Sequence, residues 1–270
     1  MEKIDSIDKI RQLIAAVRAK RKGFLTNFYL DEEKHTVWID KGVLFYLWEG
    51  DTCFFIHKKM SFWYVYYLST DSVEFQRALV CLKERFNEVS LVFDVVGRWQ
   101  QCQQLLPLFQ SSGFVEESSL VRFFKMTTIM ESDSEIETVQ CANSVQVRQA
   151  HELLCRYMDD RIEQIPYLEE YKNWGRLGHV LVCMMDGEVA GVFDFEKNAS
   201  TMMPRHWLVH PDYRGKHIGA LLFRRFLYEA NDTKRILSWV IRSNTVSIKN
   251  HLNYGFKEED LFDFILTNKL

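Results

Sequence analysis

Proline occurs four times and glycine 12 times in 270 residues, too rarely for a collagen-like, linker-rich or turn-dense all-β chain. Neither sign of charge dominates. Thirty-four Lys and Arg stand against 37 Asp and Glu, a formal net charge of −3, so the composition offers no basic surface for nucleic acid. No apolar run approaches the roughly 20 residues that cross a bilayer. The opening Met1-Glu2-Lys3-Ile4-Asp5 carries acids where a secretory signal has an apolar core. A cytoplasmic protein without nucleic-acid or membrane partners is expected. None of the six cysteines (Cys53, Cys81, Cys102, Cys141, Cys155, Cys183) forms a C-x-x-C pair, which leaves zinc-ribbon and thioredoxin-like chemistry without support. Buried, reduced thiols and no metal are expected. What is present is 47% hydrophobic and 14% aromatic residues, a folded composition at a length that points to two domains.

Along the chain, Ile4, Ile7, Ile10, Ile14 and Val17 recur at helical spacing. The basic run Arg18 to Lys22 reads as cations completing the C-terminus of that helix. Three aromatic strand-like runs follow, over 43–48, 53–56 and 62–68. A helix over 73–86, a strand over 89–93, a helix over 98–109 ending at Gly113-Phe114, and a strand over 119–125 complete the first half. Residues 127–144 carry Glu131, Asp133, Glu135 and Glu137 with little apolar periodicity, and read as a linker. The second half is expected to begin with a strand over 145–148 and a helix from about His151, and then to repeat the first: a three-strand meander, a helix over 218–229, a strand over 236–241, a helix over 246–253 ending at Gly255-Phe256, and a last strand over 261–266. "SSGFVEE" around Gly113 answers "NYGFKEE" around Gly255. A repeat of half the chain length indicates a duplicated domain.

The most informative segment is His206-Trp207-Leu208-Val209-His210-Pro211-Asp212-Tyr213-Arg214-Gly215-Lys216-His217-Ile218-Gly219-Ala220. A strand stops at a proline, a short basic loop follows, and an apolar helix opens at once. The first N–H groups of such a helix have no internal partners and stand at the positive end of its dipole. With Arg214 and Lys216 they make a cradle for a diphosphate. Neither a Walker loop nor G-x-G-x-x-G occurs.

This segment resembles the GCN5-related N-acetyltransferase (GNAT) superfamily, whose loop reads Q/R-x-x-G-x-G/A after V-x-P-x-Y. Val209, Pro211, Tyr213, Arg214 and Gly219 match; His217 stands where the family most often has glycine. Asn244, Ser247 and Gly255-Phe256 match the family's second signature. The resemblance implies an α/β fold with a mixed α+β sheet, arranged as two tandem GNAT-like domains. A degenerate copy would occupy 1–128, a linker 129–144, and the acetyltransferase domain 145–270. It further implies acetyl-CoA as donor, held by backbone groups of Trp207 and Val209 and by Arg214, Gly215, Lys216, His217, Ile218, Gly219, Ala220 and Asn244. The acceptor would be an unidentified primary amine of a small molecule or peptide. The first half has Ser69-Thr70-Asp71-Ser72-Val73 where a cofactor loop would be, without glycine or a basic residue.

Acetyl transfer needs a neutral amine, a donor for the oxyanion and a proton for the thiolate. The family's thiolate acid is often a tyrosine four residues before the helix-ending glycine, a position held here by His251. A histidine there could donate the proton or merely pack. Tyr254 shares its helix face, or serves the core. His206, Asp194 and Glu196 are candidate bases or ordinary polar strand residues. Asp159, Asp160 and Arg161 could line an amine cleft or a solvated surface. His151-Glu152-Leu153-Leu154-Cys155 lacks the second histidine of a zinc helix. Two alternatives stay open, a Fem-type aminoacyl transferase and a non-catalytic CoA-binding module, and so does the oligomeric state.

Overall fold

A computed structural model describes residues 1–268. In chain order its elements are β1 (Glu2–Lys3), α1 (Ile7–Arg18), β2 (Leu25–Thr26), α2 (Glu32–Asp40), β3 (Leu44–Glu49), β4 (Thr52–Lys58), β5 (Trp63–Ser69), α3 (Ser72–Arg85), β6 (Leu91–Gly97), α4 (Trp99–Ser111) and β7 (Val115–Met126). There follow β8 (Val139–Cys141), α5 (Ser144–Tyr157), α6 (Asp160–Glu163), α7 (Leu168–Arg176), β9 (Val180–Met185), β10 (Glu188–Lys197), β11 (Thr201–Val209), α8 (Ile218–Glu229), β12 (Arg235–Ile241), α9 (Thr245–Asn253) and β13 (Lys257–Thr267). They gather into two units, one of residues 1–120 with the stretch from Asp260 onward, the other of residues 121–259.

In the first unit the expected aromatic meander forms. β3, β4 and β5 pair antiparallel with Phe45 opposite Ile56 and Ile56 opposite Val65. β5 runs parallel to β6, and β6 pairs with residues 262–267 of β13. Thus the last strand of the second repeat completes the sheet of the first unit. Phe54, Phe75, Phe93, Phe109 and Phe114 pack between this sheet and α3 and α4, most of them edge to face, the arrangement that ring quadrupoles favour. Helix α2, absent from the sequence reading, is capped by Asp31 and buries His35 and Trp38.

The second unit corrects two expectations. Residues 127–144 are not an unstructured connection. Ile136 and Val139 are wholly buried, and β8 pairs antiparallel with β9. The apolar alternation at Val145 and Val147 does not make a strand either. Asn143 accepts from the backbone of Val145 and Gln146 while Gln146 bonds back to the Asn143 backbone. That capping box starts α5 at Ser144, and the helix then buries Val147, Ala150, Leu153 and Leu154 on one face. The meander of β9, β10 and β11 is as expected.

The repeat is visible in its helix ends. Gly113 has φ +80° and Gly255 φ +82°, the left-handed conformation that glycine adopts without a Cβ clash. In both cases the next phenylalanine donates its N–H five residues back, Phe114 to Phe109 and Phe256 to His251, each at 3.0 Å. Both rings are buried. This is the Schellman closure with its hydrophobic contact, made twice at equivalent places.

Candidate functional site

β11 and β12 run parallel, and their register covers Thr201 opposite Arg235 and Met202 opposite Ile236. Among the described residues no further pair joins them, so toward their C-terminal ends a gap opens beside Trp207 and Val209. Beyond β11 the chain makes a single 3-10 turn at Pro211–Tyr213 and enters α8. A cavity of about 310 Å³ lies here, lined by Val209, Tyr213, Arg214, Gly215, His217, Ile218 and Gly219.

The entrance to α8 is built for an anion. No side chain caps the helix, so its first N–H groups stay available. Gly215 sits at φ +80°, and a Cβ placed there would meet nothing within 4 Å. Arg214, Gly215, Lys216 and His217 are exposed. Arg214 is tied back to the Val209 carbonyl at 3.4 Å, and Lys216 lies over the Tyr213 ring. The departure from the family at His217 is structural: φ is +61° and ψ 5°, the region where a non-glycine residue is strained by roughly 1–2 kcal/mol. His217 forms part of the cavity lining. A diphosphate fits this donor set of backbone amides with two cations beside it.

The corresponding helix of the first unit is closed. Asp71 Oδ1 accepts from Val73 N–H at 3.0 Å and Glu74 N–H at 2.9 Å, and these bonds lower the pKa of its carboxyl. The amides that a phosphate would need are already held by a negative charge. Replacing Asp71 with alanine is expected to cost about 1 kcal/mol, the worth of a helix cap, with no effect on the binding of acetyl-CoA. Paired denaturation and calorimetric titrations check both parts.

On the α9 side, Asn244 Oδ1 accepts from Ser247 N–H at 3.0 Å, which leaves its Nδ2 hydrogens for a ligand. His251 is almost wholly buried, ringed by Phe123, Trp207, Phe223 and Phe256. Its Nδ1 faces the Ser247 carbonyl at 2.8 Å and its Nε2 faces Ser238 Oγ at 2.8 Å. A carbonyl only accepts, so Nδ1 carries the proton and Nε2 accepts from the serine. Burial lowers the pKa of this ring, against the Ser247 bond. The neutral imidazole therefore has its one proton committed to the Ser247 carbonyl. Tyr254 lies half-buried against Phe223, ring centroids 4.5 Å apart. Burial raises the pKa of its hydroxyl against the nearby Arg224.

His206 is buried on β11, with Nδ1 2.9 Å from Asp194 Oδ1 and Nε2 3.0 Å from the Glu163 carbonyl. Tyr171 donates its hydroxyl to Asp194 Oδ2 at 2.9 Å, and the His206 backbone N–H donates to Oδ1. Both ring nitrogens thus face acceptors, the condition an imidazolium satisfies. Burial by itself would lower the pKa of His206, but the charge and hydrogen bond of Asp194 outweigh it and the pKa is raised. Both ring nitrogens of His206 are thus engaged by groups of the protein itself. Glu196 pairs with Arg205. Tyr171 and Glu163 were not singled out in the sequence, where neither belongs to any motif.

Among the described residues no group of three or more His, Cys, Asp or Glu side chains is gathered to hold a metal ion, and no helix is long and apolar enough to cross a membrane. Cys53, Cys102 and Cys183 are buried as expected; Cys81, Cys141 and Cys155 are exposed.

Residues 147–256 match the model of the family described as acetyltransferase (GNAT). No curated protein matches the chain. Solved structures of similar fold include a tandem GNAT protein from the clavulanic acid biosynthesis pathway, with TM-score 0.59 and 11% identity over 98% of this chain and 97% of the other. A GCN5-related N-acetyltransferase from Sphaerobacter thermophilus aligns with TM-score 0.59 and 12% identity over 96% and 90%. An acetyltransferase from the GNAT family of Colwellia psychrerythraea aligns with TM-score 0.57 and 12% identity over 98% of both chains. At these identities the likeness is one of fold, and it extends over both halves of the chain.

Proposed function

The chain belongs, through residues 147–256, to the acetyltransferase (GNAT) family, and on that premise we propose that its second unit carries out the transfer while the first keeps the fold without a donor site. The protein is an acyl-CoA-dependent N-acyltransferase with acetyl-CoA as donor. The amides from Gly215 to Ala220, with Arg214 and Lys216, hold the diphosphate. Backbone groups of Trp207 and Val209 hold the pantetheine arm in the gap between β11 and β12, as a neighbouring strand would, and Asn244 adds an amide donor. The acceptor is the primary amine of a small molecule or peptide.

In this reading the amine lone pair bonds the acetyl carbon, the C–S electron pair leaves with sulfur, the nitrogen gives up one proton and the sulfur gains one. Tyr254 is the acid for the sulfur, because its hydroxyl keeps its proton and that proton is not committed. His251 positions: its bonds to Ser238 and Ser247 lock α9 against β12, on which the gap depends.

The observation that carries the reading is the contrast between two equivalent helix entrances, one capped by Asp71 and the other with no side-chain cap. Calorimetric titration tests it. One acetyl-CoA per chain is expected, and at 100 times Kd the ligand adds about 2.7 kcal/mol of stability. Two molecules per chain, or none, would contradict it.

A further inference from the structure

In the first unit the chain itself fills the place that the second unit keeps open. β5 and β6 pair in parallel with Trp63 opposite Leu91 and Tyr64 opposite Val92. Beyond those positions β2 lies antiparallel along β5, Leu25 opposite Ser69 and Thr26 opposite Leu68. Asn27 then joins the two strands: its Oδ1 accepts from the Tyr67 N–H at 2.8 Å and its Nδ2 donates to the Asp94 carbonyl at 3.0 Å. The Thr26 hydroxyl donates to the Tyr67 carbonyl at 2.7 Å and accepts from the Phe28 N–H at 2.9 Å. Gly23 brings the segment so close to the turn after β5 that a Cβ would lie 2.5 Å from the Thr70 carbonyl oxygen. Residues 23–28 thus take the β5 backbone groups that a pantetheine arm would use, and their own course is fixed by those bonds.

The fixed segment is also one wall of a cavity. Its volume of about 720 Å³ falls within the ~300–1,000 Å³ typical of small-molecule sites. Thr26 and Phe28 line it from the segment, Leu68 from β5, and Ile14, Ala15 and Ala19 from α1. The two alanines, four residues apart on one helix face, leave room for a ligand. Arg11 and Arg18 of α1 also line the cavity, seven residues and so about 10 Å apart along the helix. They are not equivalent. Arg11 is paired with Asp8 at 2.7 Å and with Glu32, so its charge is already met. Arg18 makes no ion pair or side-chain hydrogen bond among the described residues; its guanidinium lies over the Phe24 ring, 4.6 Å from the centroid. Stacking engages the face of the guanidinium and leaves its in-plane N–H groups available, the fork that fits a carboxylate.

We propose that this cavity binds an apolar monocarboxylate, with its head group on the Arg18 fork and its hydrocarbon body along Ile14, Ala15, Phe28 and Leu68. The first unit is then a binding module for an organic acid and not a second donor site. The preference for a single charge follows from the two arginines. An anion at Arg18 gains an unpaired cation, whereas an anion at Arg11 meets Asp8 and Glu32 as well. A neutral amide forgoes the charge-assisted bonds, and an ammonium group is repelled. The inference does not depend on which unit transfers the acetyl group.

Octanoate, octanamide, octylamine and octanedioate, titrated calorimetrically into the full chain, test it. Octanoate is expected to bind once per chain and octanamide about 10- to 100-fold more weakly, the worth of hydrogen bonds to a charged group. Octylamine and octanedioate should also bind more weakly than octanoate, the dianion because its second carboxylate enters apolar surroundings without a partner. Arg18→Met keeps an apolar stem and removes the fork, so octanoate affinity should fall about 10- to 100-fold while that of octanamide stays unchanged. Ala15→Trp fills the cavity from an exposed position on α1 and should abolish octanoate binding while the protein melts as the wild type does. Wild-type protein that ignores octanoate, or binds octanamide as tightly, would overturn the inference. So would wild-type octanoate affinity in Arg18→Met or in Ala15→Trp.

Discussion

His217→Asp is expected to abolish acetyl-CoA binding, raising Kd at least about 100-fold while the protein stays folded. The substitution puts at the mouth of α8 the charge that Asp71 puts at the mouth of α3. There the carboxylate takes two helix amides, at 3.0 and 2.9 Å. Position 217 is exposed and left-handed, and aspartate is among the few residues that tolerate that conformation. A negative charge within a few ångström of a bound diphosphate opposes it directly, and it also favours the positive end of the helix dipole in the free protein. Both effects act against the ligand. The second favours the fold, so a loss of binding would not reflect unfolding. Calorimetric titration with thermal melting of the same sample checks both.

Asp194→Ala is expected to destabilise the second unit by about 3–5 kcal/mol, the usual cost of removing one partner of a buried ion pair. The carboxylate accepts from the His206 ring, the His206 backbone and Tyr171, and its loss strands three buried donors. The pair also sets a pH dependence. The His206 pKa is raised on folding, so its contribution is complete below the unfolded value of about 6.5 and is lost as pH rises through the folded value. The wild type should therefore lose stability between neutral and alkaline pH. Asp194→Asn, which removes the counter-charge and keeps the shape, should abolish that loss. Denaturant titrations across the pH range measure it.

The parts of this site that were legible in the sequence are local. Arg214 to Gly219 form a contiguous strand–loop–helix junction whose chemistry depends on backbone amides, and amides at a helix start need no tertiary contact to be exposed. The two Gly-Phe helix ends were legible for the same reason. Where tertiary structure decides, the sequence misled or was silent. Val145 and Val147 alternate like a strand, but the capping box of Asn143 and Gln146 outweighs two β-branched residues. Ile136 and Val139 sit among so many acids that their burial leaves no periodic trace. Glu163, Tyr171, Asp194 and His206 lie on four different elements, and only the fold brings them together. The surroundings of His206 were illegible for the same reason, because the partners of its two ring nitrogens lie on other elements.

The central claim is that the unpaired amides at the start of α8 hold the diphosphate, and hydrogen exchange reads those amides themselves. With acetyl-CoA added, exchange should slow across residues 214–221 and stay unchanged across 70–76, where Asp71 already holds the helix. An unprotected 214–221 segment, or protection at 70–76, would contradict the account.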